Sequence, residues 1–221
     1  AQEFFGGVPV QLEDGKFQSQ YTAARRAFEE VAERYLKAKG TLRVYDQFQL
    51  PATIRWDQKT FKGDSYPSYS WGCNVAEVEV NPLTLEIRVV KVTSYWDIGR
   101  LINPVLAKGQ IEGGLTQALG YAVMEKMAIK DGLYDASRMQ TYVVPTALDV
   151  PEFDIHFLEY PYGHAAPGAK GVGEIPMDGL PAAVANAVRA ATGVRITDLP
   201  ITPEKLLEKS QVPSPTSHVG T

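Results

Sequence analysis

The chain has 221 residues, of which 44% are hydrophobic and 22% are charged, as in a folded globular protein of one or two domains. Its formal net charge is -4, and the 22 lysines and arginines are scattered along the chain, which argues against the dense basic surface of a nucleic-acid-binding protein. A lone cysteine, Cys73, excludes an internal disulfide framework and any zinc or iron–sulfur site built from several cysteines of this chain.

The sequence lacks two kinds of targeting segment. No apolar run reaches the roughly 18 residues that a membrane span needs, and the N-terminal residues have no charged start followed by an apolar core, as a secretory signal would. We therefore expect a cytoplasmic protein without a membrane partner. The chain begins at Ala1 and not at a methionine, which is typical of a processed subunit or a fragment.

The first helical pattern runs from Tyr21 to Gly40. Apolar residues recur there at three- and four-residue spacing, with Thr22 at a position suited to an N-cap. We predict an amphipathic helix that ends at Gly40. The following stretch, 41–57, alternates loosely and is broken by Pro51, which indicates short extended segments.

A long β-hairpin is the strongest strand prediction. Residues 74–80 alternate between apolar and polar, the turn sequence NPLT follows at 81–84, and a β-branched run covers 87–93. Cys73, just before this pattern, is interpreted as a small buried residue and not as a nucleophile. The segment 151–162 alternates again and predicts a further strand.

Two helices are predicted in the second half of the chain, over about 110–127 and from Leu180 to Gly193. The first contains three glycines, which indicate close approach of a backbone or a ligand, or simply tight helix packing. They are Gly113, Gly114 and Gly120. The order of elements predicts an α+β fold, with the long hairpin and two main helices packed on sheet. We expect one lobe at 1–208 and a loose C-terminal tail at 209–221.

A glycine-rich loop, GAKGVGEIPMDG at 168–179, precedes the last predicted helix. Glycines expose backbone N–H groups, and a neighbouring helix N-terminus favours negative charge, so the loop is suited to an anion such as phosphate. The order of its glycines and the position of Pro176 do not match the dinucleotide-binding fingerprint, which argues against a Rossmann-type site.

Glu174 is the acidic residue in the middle of this loop. The local pattern leaves three roles open: a solvated carboxylate, a helix-capping charge or a catalytic base. The flank of Ile175 and Pro176 would remove water from the carboxylate, which suits a base acting near neutral pH. Gln110, at the start of a predicted helix, either faces solvent or offers its amide to a ligand. The three histidines lack zinc-ligand spacing, so we predict no metal ligand in this chain.

Three segments together resemble the C-terminal part of the molybdopterin-binding subunit of the xanthine dehydrogenase and aldehyde oxidase family, the molybdenum hydroxylases. They are GQIEGGLTQALG at 109–120, GAKGVGEIP at 168–176 and ATGVRITDLPITPEKLL at 191–207. The hairpin segment is similar to the same family, so the resemblance covers nearly the whole chain. Two departures are visible: the usual GVGEPP is GVGEIP here, and Leu85 replaces a glycine in the hairpin turn.

The resemblance implies roles for several residues of this chain. Glu174 matches the family's catalytic base, and Gln110 matches a glutamine that contacts the molybdopterin cofactor. The other residues expected near the cofactor are Lys170, Gly171, Val172, Gly173 and Asn103. The family's remaining cofactor-binding and substrate-orienting segments lie N-terminal to this region, so we do not expect a complete active site from this chain alone.

The resemblance also implies a reaction, cofactors and partners. The reaction is hydroxylation of a C–H carbon of a purine, another N-heterocycle or an aldehyde with water-derived oxygen. The cofactor is molybdopterin, with or without a cytosine dinucleotide, and electrons pass to [2Fe-2S] and FAD. These are expected on an Fe–S subunit and an FAD subunit that join the rest of the molybdenum subunit in a hetero-oligomer. The alternatives are a non-catalytic structural or assembly lobe, or an unrelated phosphate-binding module.

Overall fold

The computed structural model describes residues 1–45, 47–136, 138–164 and 167–210. From residue 211 onward, the predicted loose tail lies outside the described residues. The chain divides into two compact units, Ala1–Gln49 and Leu50–Thr221. The boundary of the predicted lobe at residue 208 stays a prediction.

The first unit is a small antiparallel sheet followed by a helix. Its elements are a 3-10 helix (Gln2–Phe5), β1 (Val10–Glu13), β2 (Lys16–Ser19), β3 (Arg25–Ala27) and α1 (Phe28–Lys39). The strands pair in the order β1-β2-β3. Among the side chains of α1, Val31 is buried.

The helix predicted over Tyr21–Gly40 forms only as α1, and Thr22 does not cap it. The Ser19 hydroxyl accepts hydrogen bonds from the N–H groups of Tyr21 and Thr22, which turns the chain. The next residues pair with β2 as β3, so strand pairing replaces the beginning of the predicted helix. Its end is confirmed, because the Gly40 N–H donates to the Leu36 carbonyl oxygen at 3.0 Å.

The second unit carries the larger sheet and the remaining helices. In chain order its elements are β4 (Trp56–Asp57), β5 (Lys62–Gly63), β6 (Trp71–Val80), β7 (Ile87–Asp97), α2 (Pro104–Val123), β8 (Ile129–Lys130), β9 (Leu133–Tyr134), β10 (Glu152–Leu158), α3 (Ile175–Asp178), α4 (Leu180–Thr192) and α5 (Pro203–Ser210). Of the described residues in 41–57, only those of β4 form a strand, so the extended segments predicted there are largely absent.

The predicted hairpin is confirmed as β6 and β7, which pair antiparallel from Trp71↔Asp97 to Val80↔Ile87. The strand predicted at 151–162 is β10, which pairs parallel to β7 and completes the sheet order β10-β7-β6. Two shorter hairpins, β4-β5 and β8-β9, stand apart from this sheet. The central position of β7 explains why it has the most buried residues of the described strands.

The hairpin turn contains a residue in a backbone conformation that favours glycine. Asn81 stabilises the turn, because its Oδ1 accepts hydrogen bonds from the N–H groups of Leu83 at 2.9 Å and Thr84 at 3.2 Å. Leu85 then adopts a φ of 59°, the left-handed region, which costs a non-glycine residue on the order of 1 kcal/mol. Its side chain packs against the core, which offsets part of that cost.

The core lies between one face of the large sheet and the helices α2 and α4, as predicted. Its most buried side chains come from β7 (Val92, Trp96), α2 (Ile111, Leu115, Leu119) and α4 (Leu180, Val184, Val188). Each set follows the period of its own element, since alternate positions of a strand and every third or fourth position of a helix share a face. This arrangement confirms the α+β fold.

Cys73 is exposed, contrary to the prediction of a buried residue. Along β6, Asn74, Ala76 and Val78 are partly buried, whereas the residues between them are exposed. Cys73 belongs to the outward row, because successive side chains of a strand point to opposite faces. The strand lies at the edge of the sheet, where only one face is covered by helix.

The predicted helix at 110–127 is α2, which is shifted toward the N-terminus. Asn103 caps its start, because the Asn103 Oδ1 accepts a hydrogen bond from the Leu106 N–H at 3.1 Å. At the other end the Glu125 N–H donates to the Gly120 carbonyl oxygen at 2.8 Å, which turns the chain away from the helix axis.

The helices α4 and α5 differ in how clearly the sequence marks them. The prediction of α4 is confirmed, and Gly193 ends it with a φ of 76° and an N–H that donates to the Arg189 carbonyl oxygen. The helix α5 was not predicted, although Thr202 before Pro203 is a start signal: its hydroxyl accepts from the Lys205 N–H at 3.4 Å. None of the described helices is long and apolar enough to cross a membrane.

Candidate functional site

The glycine-rich loop is attached to the end of the hairpin by backbone contacts. Gly99 forms an isolated bridge with Ala169, and the Lys170 N–H donates to the Ile98 carbonyl oxygen at 2.8 Å. Both Gly99 and Gly168 have positive φ, of 68° and 97°. A Cβ at Gly99 would also collide with the Gly168 carbonyl oxygen. Glycine is therefore required at this crossing for both conformation and space.

A buried ion pair joins the same two segments. Lys170 Nζ lies 2.6 Å from Asp97 Oδ2, and the two side chains are only 11% and 7% exposed. The other carboxylate oxygen of Asp97 accepts from the N–H groups of Gly99 at 2.9 Å and Tyr160 at 3.3 Å. The ammonium of Lys170, which we predicted near the cofactor, is thus already bound within the chain.

Two further side chains, the partly buried Ser70 and the exposed Gln110, contact the part of the loop that is nearer to Glu174. The Ser70 hydroxyl donates to the Gly171 carbonyl oxygen at 2.6 Å. Gln110 Nε2 donates to the Gly173 carbonyl oxygen at 3.4 Å, a long and therefore weak hydrogen bond. Gln110, on the first turns of α2, is in this way placed against the residue that precedes Glu174.

A groove of about 280 Å³ lies between this loop and the start of α2. Four of the residues predicted near the cofactor line it together: Asn103, Gln110, Lys170 and Val172. Its walls are otherwise mostly apolar, formed by Ile98, Ile102, Leu106, Ala107 and Ala169, with Arg100 as the remaining polar residue. Gly171 and Gly173 are exposed on the same loop, and a Cβ at either would meet nothing within 4 Å. Their backbone is open to a ligand.

Glu174 occupies the N-cap position of α3, but its side chain makes no capping hydrogen bond. The capping role that the local pattern allowed is therefore not realised. The expected removal of water is not realised among the described residues either, because Glu174 is exposed while Ile175 is partly buried and Pro176 is buried. The apolar flank turns inward and leaves the carboxylate at the surface.

Of the two explanations left open for the glycines of α2, tight packing of the helix is observed at two of them. A Cβ at Gly114 would lie 2.5 Å from Pro176 Cβ, and one at Gly120 would lie 2.7 Å from Pro145 Cδ. At Gly113 a Cβ would meet nothing within 4 Å. Protein packing thus accounts for Gly114 and Gly120, and the contact with Pro176 sets how close α3 lies to α2.

The ion pair predicts a pH dependence of folding stability. Burial raises the pKa of the Asp97 carboxyl, but the hydrogen bonds from Lys170 and from two backbone N–H groups outweigh burial and hold the pKa below its ordinary value of 3.8. A carboxyl with a lowered pKa stabilises the folded state above its ordinary pKa, and this contribution is lost as the pH falls through the lowered value. The stability difference between wild type and Asp97→Asn is therefore expected to be largest near neutral pH and to shrink in acid. Urea unfolding of both chains at several pH values measures it, and a difference independent of pH would contradict the expectation.

The N-cap hydrogen bond of Asn103 is expected to contribute to the folding stability of α2. Asn103→Ala is expected to cost about 1 kcal/mol of unfolding free energy, because the Leu106 N–H loses its acceptor. Asn103→Asp should keep nearly all the stability, since aspartate caps as well as asparagine. Denaturant unfolding of the two variants tests the cap, and equal stability of both would exclude it.

The histidines lie outside this site. His156, on β10, pairs with Asp154 at 3.0 Å and stacks on Tyr95, and His164 lies beside the ring of Tyr162. His218 is outside the described residues. Within the described ranges, no three His, Cys, Asp or Glu side chains come together as metal ligands would.

Sequence reasoning missed two residues that hold the loop. Asp97 ends a strand that the sequence predicts, but only the structure shows that its carboxylate is buried and therefore paired. Ser70 offers no signal, because a serine before a strand is common and its contact with Gly171 spans 101 positions of sequence.

Comparison with known proteins identifies the family. The chain matches the molybdopterin cofactor-binding domain family over residues 7–151. It is 39% identical over 147 residues to the aldehyde oxidoreductase molybdenum-binding subunit PaoC of Escherichia coli (strain K12), a match that covers 65% of this chain and 20% of that protein. It is 34% identical over 142 residues to the putative xanthine dehydrogenase molybdenum-binding subunit XdhA of the same organism, covering 63% and 19%. The chain thus spans about one fifth of the length of these relatives.

The structural likeness extends beyond the family match. Quinoline 2-oxidoreductase from Pseudomonas putida 86 superposes with a TM-score of 0.74 at 29% identity, over 96% of this chain and 27% of that chain. The match in fold therefore continues past residue 151, where the family match ends. The chain belongs to the molybdopterin cofactor-binding domain family, as a segment related to the molybdenum-binding subunits of xanthine dehydrogenases and aldehyde oxidoreductases.

Proposed function

We propose that this chain is the C-terminal part of the molybdenum-binding subunit of a xanthine-dehydrogenase-like molybdenum hydroxylase. The reaction is hydroxylation of a C–H carbon of a purine, another N-heterocycle or an aldehyde with water-derived oxygen. Family membership supports this proposal, as do relatives named for xanthine, aldehyde and quinoline oxidation.

One observation carries the proposal: the exposed carboxylate of Glu174 directly follows Gly173, whose carbonyl oxygen Gln110 contacts. The residue proposed to bind the cofactor thus contacts, across 63 positions of sequence, the residue next to the proposed base. The carboxylate caps no helix, so its oxygens are available to take a proton from a group bound beside the loop.

The residues around the groove fit a molybdopterin cofactor, with or without a cytosine dinucleotide. The Gln110 amide both donates and accepts hydrogen bonds, as a pterin edge requires, and the open backbone at Gly171 and Gly173 allows close approach. Val172 and Asn103 would line the same ligand, and Lys170 would shape the loop around it. The bound cofactor supplies the two-electron redox chemistry. Glu174 would hold the proton that leaves the reacting group at its carboxylate oxygen.

The described residues of this chain do not exclude water from Glu174. Glu174 is exposed, and a base in contact with bulk water would not be tuned for proton transfer. We propose that the rest of the molybdenum subunit covers it, and that an Fe–S subunit and an FAD subunit accept the electrons in a cytoplasmic hetero-oligomer. The lone cysteine of this chain agrees with clusters carried elsewhere.

Purification of the native complex through this chain tests the proposal. We expect about one molybdenum per copy of the chain, copurifying Fe–S and FAD subunits, and oxidation of at least one member of a panel of purines, pyridines, quinolines and aldehydes. A complex without molybdenum and without turnover would instead identify a structural or assembly lobe. Nucleotide binding by the isolated chain would favour the phosphate-binding module.

A further inference from the structure

Asp97 is a charged residue that the fold buries at the end of β7. A buried carboxylate is stable only when hydrogen bonds and an opposite charge replace water. Asp97 obtains these from three different segments: Gly99 just after β7, Tyr160 just after β10, and Lys170 in the glycine-rich loop. Its carboxylate therefore joins the sheet and the loop through side chains, beside the backbone contacts of Gly99 and Ile98 with the loop.

Lys170 is the residue of the glycine-rich loop that binds the Asp97 carboxylate. Its neighbours Gly168, Gly171 and Gly173 carry no side chains, so they cannot anchor the loop by packing. The side-chain contacts nearer Glu174 carry no charge pair and are less buried: the Gln110 bond is 3.4 Å long and Gln110 faces solvent, and Ser70, whose bond is 2.6 Å long, is only partly buried. Among the side-chain hydrogen bonds described for this loop, the Lys170–Asp97 pair, at 2.6 Å, is the most buried and the one between opposite charges.

The rate of proton transfer depends strongly on the position of the catalytic base. Proton transfer needs heavy atoms about 2.6–3.2 Å apart, and a displacement of about 1 Å can cost about 10²-fold in rate. Lys170 is four residues before Glu174, so we expect a shift of the loop at Lys170 to displace the Glu174 carboxylate.

We propose that Asp97, through its ion pair with Lys170, is a positioning residue that holds the glycine-rich loop and thereby places the Glu174 carboxylate. Neither residue takes or gives a proton in the reaction, and the Lys170 ammonium binds Asp97 and not the cofactor. The effect on catalysis rests on the proposed function. The attachment of the loop to the sheet by the Lys170–Asp97 ion pair, which we call the tether, does not.

The test compares Asp97→Asn and Lys170→Met in the native complex with the double variant and with Lys170→Arg. Each single variant is expected to lower kcat by about 10- to 100-fold with little change in KM or in molybdenum content. The double variant should be no worse than either single variant, because both remove one interaction. Lys170→Arg keeps a positive charge and should recover most of kcat.

Hydrogen–deuterium exchange gives a readout that does not depend on turnover. Peptides covering residues 168–174 should exchange about ten-fold faster or more in Asp97→Asn and Lys170→Met than in wild type. Glu79→Gln is the matched control, because it breaks the exposed Glu79–Arg88 pair at the other end of the same hairpin. It should change neither exchange in the loop nor kcat.

Three results would overturn the inference: unchanged exchange in the loop, additive losses in the double variant, or losses of kcat that follow losses of molybdenum. The last would show that Lys170 retains the cofactor directly. Wild-type turnover in Glu174→Gln would contradict the proposed function alone, since exchange in the loop still decides whether the tether exists.

Discussion

The native complex carrying Glu174→Gln is expected to turn over about 10²- to 10⁴-fold more slowly than wild type, with its molybdenum content unchanged. Glutamine has nearly the size of glutamate, but its amide cannot accept the proton. The Glu174 side chain is exposed and caps no helix, so folding stability should hardly change. Steady-state turnover, metal content per chain and thermal unfolding of the complex together measure the effect.

Asp178→Asn is the matched control for this variant. Asp178 is also an exposed acidic residue of α3, four positions further along the chain. Removal of its charge changes the local electrostatics by a similar amount but leaves the proposed base in place. Its turnover should stay within about two-fold of wild type, given the small effect of exposed charges. Equal rates for wild type and Glu174→Gln would exclude Glu174 as the base.

The second large effect is expected at Gly114. Gly114→Ala places a Cβ 2.5 Å from Pro176 Cβ, and a proline ring cannot rotate away. Overpacking of this kind costs about 1–3 kcal/mol of unfolding free energy. If α3 moves to relieve the contact, Glu174, two residues before Pro176, moves with it, so turnover should fall as well. Denaturant unfolding and kcat of the variant measure both effects.

Gly113→Ala is the control, because it makes the same chemical change one position away. A Cβ at Gly113 meets nothing within 4 Å, so the variant should gain up to about 1 kcal/mol from the better helix propensity of alanine. Gly114→Ala and Gly113→Ala are thus expected to shift stability in opposite directions. Equal shifts would mean that contact with Pro176 does not constrain α2.

The elements predicted most accurately are those with a single strong period. The hairpin of β6 and β7 and the helix α4 were found at nearly their observed bounds, because alternation and a glycine stop are local signals. The start of α1 was wrong, because pairing of β3 with β2 competes with helix formation. The burial of Cys73 was wrong because the side of a strand that faces the core depends on which side the helices cover.

For the candidate site, too, some features could be predicted from the sequence and others could not. The sequence alone was enough to single out Glu174, Gln110 and the glycine-rich loop, because each motif that carries the resemblance is an uninterrupted stretch of the chain. It contained no information on how near Gln110 lies to the loop, since that hydrogen bond spans 63 positions. The composition also sufficed to argue against a nucleic-acid-binding surface and a cysteine-ligated cluster in this chain.

The tertiary structure decided which predicted residues are free to act. It binds the Lys170 ammonium to Asp97, assigns Asn103 to the cap of α2, and leaves Glu174 exposed with no helix to cap. It also shows that Gly114 is small because Pro176 needs the space. The physical reason is common to these cases: the environment of a side chain is set by elements that are distant in sequence, and local patterns carry no record of them.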